Sequence, residues 1–148
     1  MSVFSRDRLS LPPLPAMPKV AKLPQPLEQS GCRYLGTVTD GRRVRVRSLG
    51  SAGTARIQVS GEGVDVVRLA GSFRIPVTAL GSARDEAEFD GKRVDGHGAL
   101  VIRWEHGERV LDSGFRLQVT QGGARETHRR WARTVQNVAR KSGGSTHG

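Results

Sequence analysis

The chain has 148 residues and a mass of 16.0 kDa, with 36% hydrophobic residues, enough for one domain around one core. Its formal net charge is +10, from 24 basic and 14 acidic side chains, so nucleic acid and an anionic membrane surface come into consideration as partners. A single cysteine, Cys32, excludes an internal disulfide framework and a multi-cysteine zinc site.

Six of the seven prolines fall between Pro12 and Pro26. Each fixes φ and removes a backbone donor, so residues 1–31 are expected to form a disordered, proline-rich arm. Residues 1–8 are polar and no continuous apolar run follows, so the arm does not read as a signal peptide. Pro, Lys and Gln break its apolar runs well short of the ~18 residues that cross a bilayer. Leu11, Leu14, Met17, Val20 and Leu23 recur every third residue and would share one face of a polyproline II helix. Such a strip suits docking in a groove or on a partner, or the leucines are simply scattered among the prolines of a disordered tail.

From Cys32 the pattern changes to short β-type runs between glycine turns. Residues 34–38 open the series, and Asp40-Gly41 marks a turn. Residues 43–47 alternate Arg and Val with period two, which predicts a strand carrying Arg43, Arg45 and Arg47 on one face. Residues 54–60 and 64–69 flank the turn Gly61-Glu62-Gly63, and residues 72–75 follow, ended by Pro76. Residues 77–80 read as a helical turn and 82–86 as another strand. Residues 98–104 form the most apolar strand, and 109–117 pair back across the turn at His106-Gly107-Glu108. Hairpin spacing without intervening helices predicts a mainly β fold, an antiparallel sandwich or partly open barrel.

Residues 124–141 switch to helical periodicity. Trp131, Val135 and Val138 lie within about 60° of one another on a helical wheel. Arg125, Arg129, Arg133 and Arg140 cluster opposite, with Arg130 and Lys141 nearby. One face is expected to cap the open end of the sheet, anchored by Trp131, and the other to present a basic ridge. Ser142-Gly143-Gly144 is expected to end the helix, which leaves residues 32–141 as the domain and 142–148 as a flexible tail. The charge follows this division. Residues 1–31 hold four basic and two acidic side chains, residues 32–123 fourteen and eleven, and residues 124–148 six and one.

Short strands closed by a C-terminal amphipathic helix match the pleckstrin-homology-like (PH-like) architecture. In residue detail, Tyr34-Leu35-Gly36-Thr37, the unit Phe73-Arg74-Ile75-Pro76-Val77, the stretch from Gly98 to Gly107 and Leu111-Asp112-Ser113-Gly114-Phe115-Arg116 resemble the PH-like domain of small actinobacterial proteins described as membrane or transporter-like. The resemblance covers residues 32–139. It implies a PH-like sandwich or partly open barrel capped by a C-terminal helix, and it brings no catalytic residues. Relatives commonly carry a transmembrane helix ahead of the Tyr-Leu-Gly-Thr-like start, where this chain has its proline-rich arm.

The candidate binding residues are basic. Arg43, Arg45 and Arg47 suit bidentate contact with phosphate, or they form a solvated strand face balanced by Asp85, Glu86, Glu88 and Asp90. Arg125, Arg129, Arg133 and Arg140 suit phosphates of lipid or nucleic acid, or they form a solvated helix face. Phe73, Trp104, Phe115 and Trp131 of the seven aromatics read as core, which leaves few for base stacking and speaks against sequence-specific nucleic-acid recognition. His97 and His106 belong to no nucleophile arrangement. Gly96-x-Gly98 lacks the rest of a dinucleotide loop. The acidic run lacks EF-hand spacing, and Cys32 reads as a small buried residue. The expectation is a non-catalytic binding or adaptor module in the cytoplasm, without cofactor, metal or small-molecule substrate. Its expected partner is a protein or the anionic inner face of the membrane, with non-specific nucleic-acid binding through the helix as the alternative.

Overall fold

In the computed structural model the described residues are 23–94, 98–118 and 123–147, without the side chains of residues 47 and 143–147. The elements run β1 (Glu28–Thr39), β2 (Arg42–Arg43), a short α1 (Arg47–Gly50), β3 (Gly53–Ser60), β4 (Gly63–Val67) and β5 (Phe73–Pro76). A 3-10 turn (Val77–Ala79) leads to β6 (Leu80–Glu86), β7 (Glu88–Phe89), β8 (Lys92–Arg93), β9 (Ala99–His106), β10 (Arg109–Leu117) and α2 (Gly123–His147). The main sheet is antiparallel in the order β5-β4-β3-β1-β10-β9-β6, with β2 hydrogen-bonded to β1 beside this path. It is the mainly β, helix-capped architecture expected from the sequence.

β1 joins the two halves of the sheet. Its first part, Glu28–Tyr34, pairs with β3, and its stretch from Cys32 to Val38 pairs with β10. A bulge between Tyr34 and Gly36 bends it between these neighbours. The alternation read from the sequence holds inside. Ile57 and Val59 of β3, Val64 and Val66 of β4, Phe73 and Ile75 of β5, and Leu100, Ile102 and Trp104 of β9 are buried in one core. Tyr34 packs edge-on to Phe73, with ring centroids 5.6 Å apart, and Phe73 stacks on Trp104 at 6.4 Å. Cys32 is buried beside them, and burial pushes its thiol up to about 12 against the weaker opposing charges of Arg56 and Arg68.

The helix buries the predicted face. Trp131, Val135 and Val138 join the core. Gln136 Nε2 donates to the Ala83 carbonyl at 2.6 Å, which satisfies a backbone group of β6, an end strand of the sheet. His128 is also buried, and its Nε2 accepts the Leu117 backbone N–H at 3.1 Å. The proton of the neutral ring therefore sits on Nδ1, 3.9 Å from Asp85 Oδ1. The helical backbone runs on through Gly143 and Gly144 to His147, past the expected stop at residues 142–144.

A buried hydroxyl chain crosses the core. Trp104 Nε1 donates to Ser113 Oγ at 3.0 Å, Ser113 and Thr37 are 2.6 Å apart, as are Thr37 and Tyr34, and the Tyr34 hydroxyl donates to the Leu49 carbonyl at 3.0 Å. A carbonyl only accepts. Tyr34 must therefore accept from Thr37, and Thr37 from Ser113, so every proton in the chain points toward Leu49. Ser113→Ala leaves the Trp104 N–H without its acceptor and is expected to destabilise by about 1–3 kcal/mol, read from the urea midpoint at unchanged slope.

Candidate anion-binding site

The outward faces of β1 and β10 form the floor of the candidate site. Arg33 and Arg116 are direct cross-strand partners, so their side chains leave the same face of the sheet. Their neighbours Cys32, Tyr34, Phe115 and Leu117 point inward and are buried. Like charges placed opposite each other cost roughly 0.2–1 kcal/mol, which the fold accepts here.

The next matched pair on this outward face is Gly36 and Gly114. The two glycines leave a bare patch, and a second hairpin docks on it. A Cβ on Gly114 would lie 2.7 Å from the Phe89 ring, and one on Gly36 would collide with the Arg43 guanidinium. Arg43 donates to the Leu35 carbonyl at 2.7 Å and to Asp90 at 3.3 Å, so it fastens the β7–β8 hairpin to β1. Both hairpins turn on Asp-Gly with positive φ at each residue, Asp40-Gly41 and Asp90-Gly91, the backbone of a tight two-residue hairpin. A five-residue pattern recurs here: Asp40-Gly41-Arg42-Arg43-Val44 and Asp90-Gly91-Lys92-Arg93-Val94.

Together these elements enclose a depression of about 610 Å³. Arg33, Arg43, Arg45, Lys92, Arg93 and Arg116 line it, with Leu35, Phe89 and Val94 between them and Asp90 as the one carboxylate among the described residues there. Asp90 is already taken by Arg43. Among the described residues, Arg33, Arg45, Lys92, Arg93 and Arg116 make no ion pair, although Glu88 stands directly across the hairpin from Arg93. Other arginines of the sheet are neutralised. Arg74 meets Asp65 at 2.6 Å, Arg84 meets Glu86 at 2.6 Å, and Arg103 meets Asp112 at 3.0 Å. Burial raises the Asp112 pKa, but the Arg103 hydrogen bond and the charges of Arg84 and Arg103 outweigh it and hold the carboxyl below its usual range.

The structure sorts the residues singled out from the sequence. Arg43 and Arg45 both line the depression, but not as neighbours on one strand. Only Arg42–Arg43 pairs with β1. Val44 and Leu49 are drawn into the core, Leu49 by the Tyr34 hydroxyl among other contacts, so the chain turns away after Val44 and Arg47 begins α1. The expected strand over residues 43–47 is thereby corrected. The Arg47 side chain lies outside the described residues.

Arg125, Arg129, Arg133 and Arg140 are exposed on α2, away from the depression. Arg125 and Arg129 both face Asp85, at 3.6 and 3.8 Å, and Arg133 meets Glu126 at 3.4 Å. Arg140 donates to Asn137 at 2.7 Å, and Arg130 reaches Glu28 at 3.2 Å. Much of the ridge's charge is thus met by carboxylates. Of the acidic run, Asp90 balances Arg43, while Asp85 serves the helix. Among the described residues no group of His, Cys, Asp or Glu is placed to hold a metal ion. His106 packs against Trp104 with ring centroids 5.5 Å apart, and His97 lies outside the described residues.

The family model described as Bacterial PH domain-like matches residues 11–136. The chain belongs to this family. No curated protein matches the sequence. The match begins inside the proline-rich segment, ahead of the resemblance read from Cys32 onward. PH-like membership supports a binding or adaptor module in general terms. No helix among the described residues of this PH-like domain is long and apolar enough to cross a membrane.

Proposed function

We propose that this PH-like domain is a non-catalytic adaptor that attaches to an anionic membrane surface through the basic depression. The observation that carries this reading is the gathering around one concavity of five cations that, among the described residues, make no ion pair, Arg33, Arg45, Lys92, Arg93 and Arg116. Each basic residue brought to an anionic leaflet contributes about 1 kcal/mol, within a Debye length of the surface. The exposed arginines of α2 add a weaker field, because Asp85 and Glu126 already face three of them. Nucleic acid fits less well. Tyr34, Phe73, Trp104, Phe115 and Trp131 are buried, and Phe89 is packed on Gly114, so the depression offers no free ring for a base.

The test is co-sedimentation with vesicles of phosphatidylglycerol in phosphatidylcholine, against phosphatidylcholine alone. Binding is expected only to the anionic vesicles, falling with salt. Arg45→Glu with Lys92→Glu is expected to weaken it at least tenfold. Equal binding to neutral vesicles overturns the reading, as does full binding by the double variant. Vesicle binding replaced by a DNA mobility shift at physiological salt moves the function to nucleic acid, and capture of an acidic protein in place of vesicles moves it to a protein adaptor.

A further inference from the structure

We infer that Arg33 and Arg116 form a discrete seat for a phosphate group at the floor of the depression, an inference that rests on the anionic-surface reading above. Direct partners on adjacent antiparallel strands hold their Cβ atoms about 4.5–5.5 Å apart. Both arginine side chains line the depression from that base, on the central strands of the sheet. A carboxylate fills one such fork, whereas a phosphate has enough acceptor oxygens and charge for two, with more left for a third cation. Arg45, Lys92 and Arg93 stand around the same concavity to supply it.

The surroundings favour a localised ligand over a diffuse layer of counterions. Leu35 and Val94 line the depression beside the cations and lower the local polarity, which strengthens a charge-assisted bond. The walls are fixed, one by Phe89 on Gly114 and the other by Arg43 on Leu35 and Asp90. The opposed arginines repel each other when the seat is empty, and a bound phosphate turns that repulsion into a shared attraction.

Thermal unfolding of the full chain tests the seat, with pyrophosphate compared against sodium chloride at equal ionic strength. The wild type is expected to gain a few degrees in Tm from pyrophosphate beyond chloride. Arg33→Gln with Arg116→Gln is expected to melt no lower than the wild type in chloride, because the repulsion is gone, and to gain nothing from pyrophosphate. A purely structural pair would instead lower the variant in both salts. Pyrophosphate added to vesicle-bound protein then separates the sources. Release assigns the seat to lipid headgroups, and retention alongside the Tm gain assigns it to a soluble phosphate ester. A wild-type shift no larger than in chloride overturns the seat, and so does an equal shift in the variant. Either result leaves the phosphatidylglycerol experiment standing, so the two readings fail separately.

Discussion

Replacing Asp65 with alanine is expected to destabilise the domain by about 3–5 kcal/mol, the range for removing one partner of a buried ion pair. Asp65 stands on β4 between Gln58 of β3 and Arg74 of β5. Its neighbours Val64 and Val66 point into the core, so Asp65 is on the outward face, where a carboxylate is ordinarily wet. Here it is fully buried. The segment ahead of β1 runs beside it. Gln58 Nε2 donates to the Pro24 carbonyl at 3.1 Å, and Leu23 shares a small cavity with Asp65 and Val67. Arg74 grips both carboxylate oxygens, at 2.6 and 3.1 Å, and also reaches Glu62 at 3.5 Å. Without Asp65 the half-buried guanidinium keeps only the exposed Glu62, a contact of the kind worth at most about 1 kcal/mol. Asp65→Asn keeps the shape and one acceptor oxygen and is expected to lose less. Urea unfolding measures both, and a loss below about 1 kcal/mol for the alanine variant would show that the pair is effectively a surface contact.

Asp65 also marks the boundary of what could be read from the sequence. The hairpin of β3 and β4 was legible because Ile57, Val59, Val64 and Val66 alternate across a glycine turn, and alternation is a local signal. The buried face of α2 was legible for the same reason at a period of 3.6. Its end was not. Each interior glycine costs only about 1 kcal/mol relative to alanine, which does not by itself end a helix. The arginines at 43, 45 and 47 misled because Arg-Val alternation has the period of a strand, while burial of Val44 and Leu49 decided the path. The floor of the depression had no local signal at all. Arg33 and Arg116 are far apart in the chain and meet only through the register of β1 with β10. One clue was available. Asp-Gly followed by two basic residues and Val occurs twice, at 40–44 and 90–94, and Asp-Gly is a strong hairpin signature. Strands of two residues are too short for periodicity, so the turn was the only mark of β7 and β8.

Removing Arg68 is expected to damage both the fold and the site. Its guanidinium is largely buried, and burial pulls its pKa below the ordinary arginine value. No carboxylate among the described residues neutralises it. It is held instead by backbone carbonyls: Nε donates to Gly71 at 3.0 Å, Nη2 to Ser48 at 2.9 Å, and Nη1 to Ser51. The guanidinium carbon also lies 4.5 Å from the centre of the Tyr34 ring. One side chain thus ties the β4–β5 loop to α1 and the start of β3. Arg68→Leu leaves three carbonyls without their donor. It is expected to cost about 2–4 kcal/mol, because bonds from a charged donor are worth about 1.5–3 kcal/mol each and the relieved desolvation of the guanidinium offsets part of the sum. The segment that Arg68 pins lies between Arg45 and Ala52, both of which line the depression. Binding to phosphatidylglycerol vesicles is therefore expected to weaken even at temperatures where the variant remains folded. Arg68→Lys separates charge from geometry. A single ammonium keeps the charge but cannot span three carbonyls set around a planar fork, so it is expected to recover only a minor part of either loss. A lysine variant with wild-type stability and wild-type vesicle binding would show that charge alone, and not the fork, holds the loop in place.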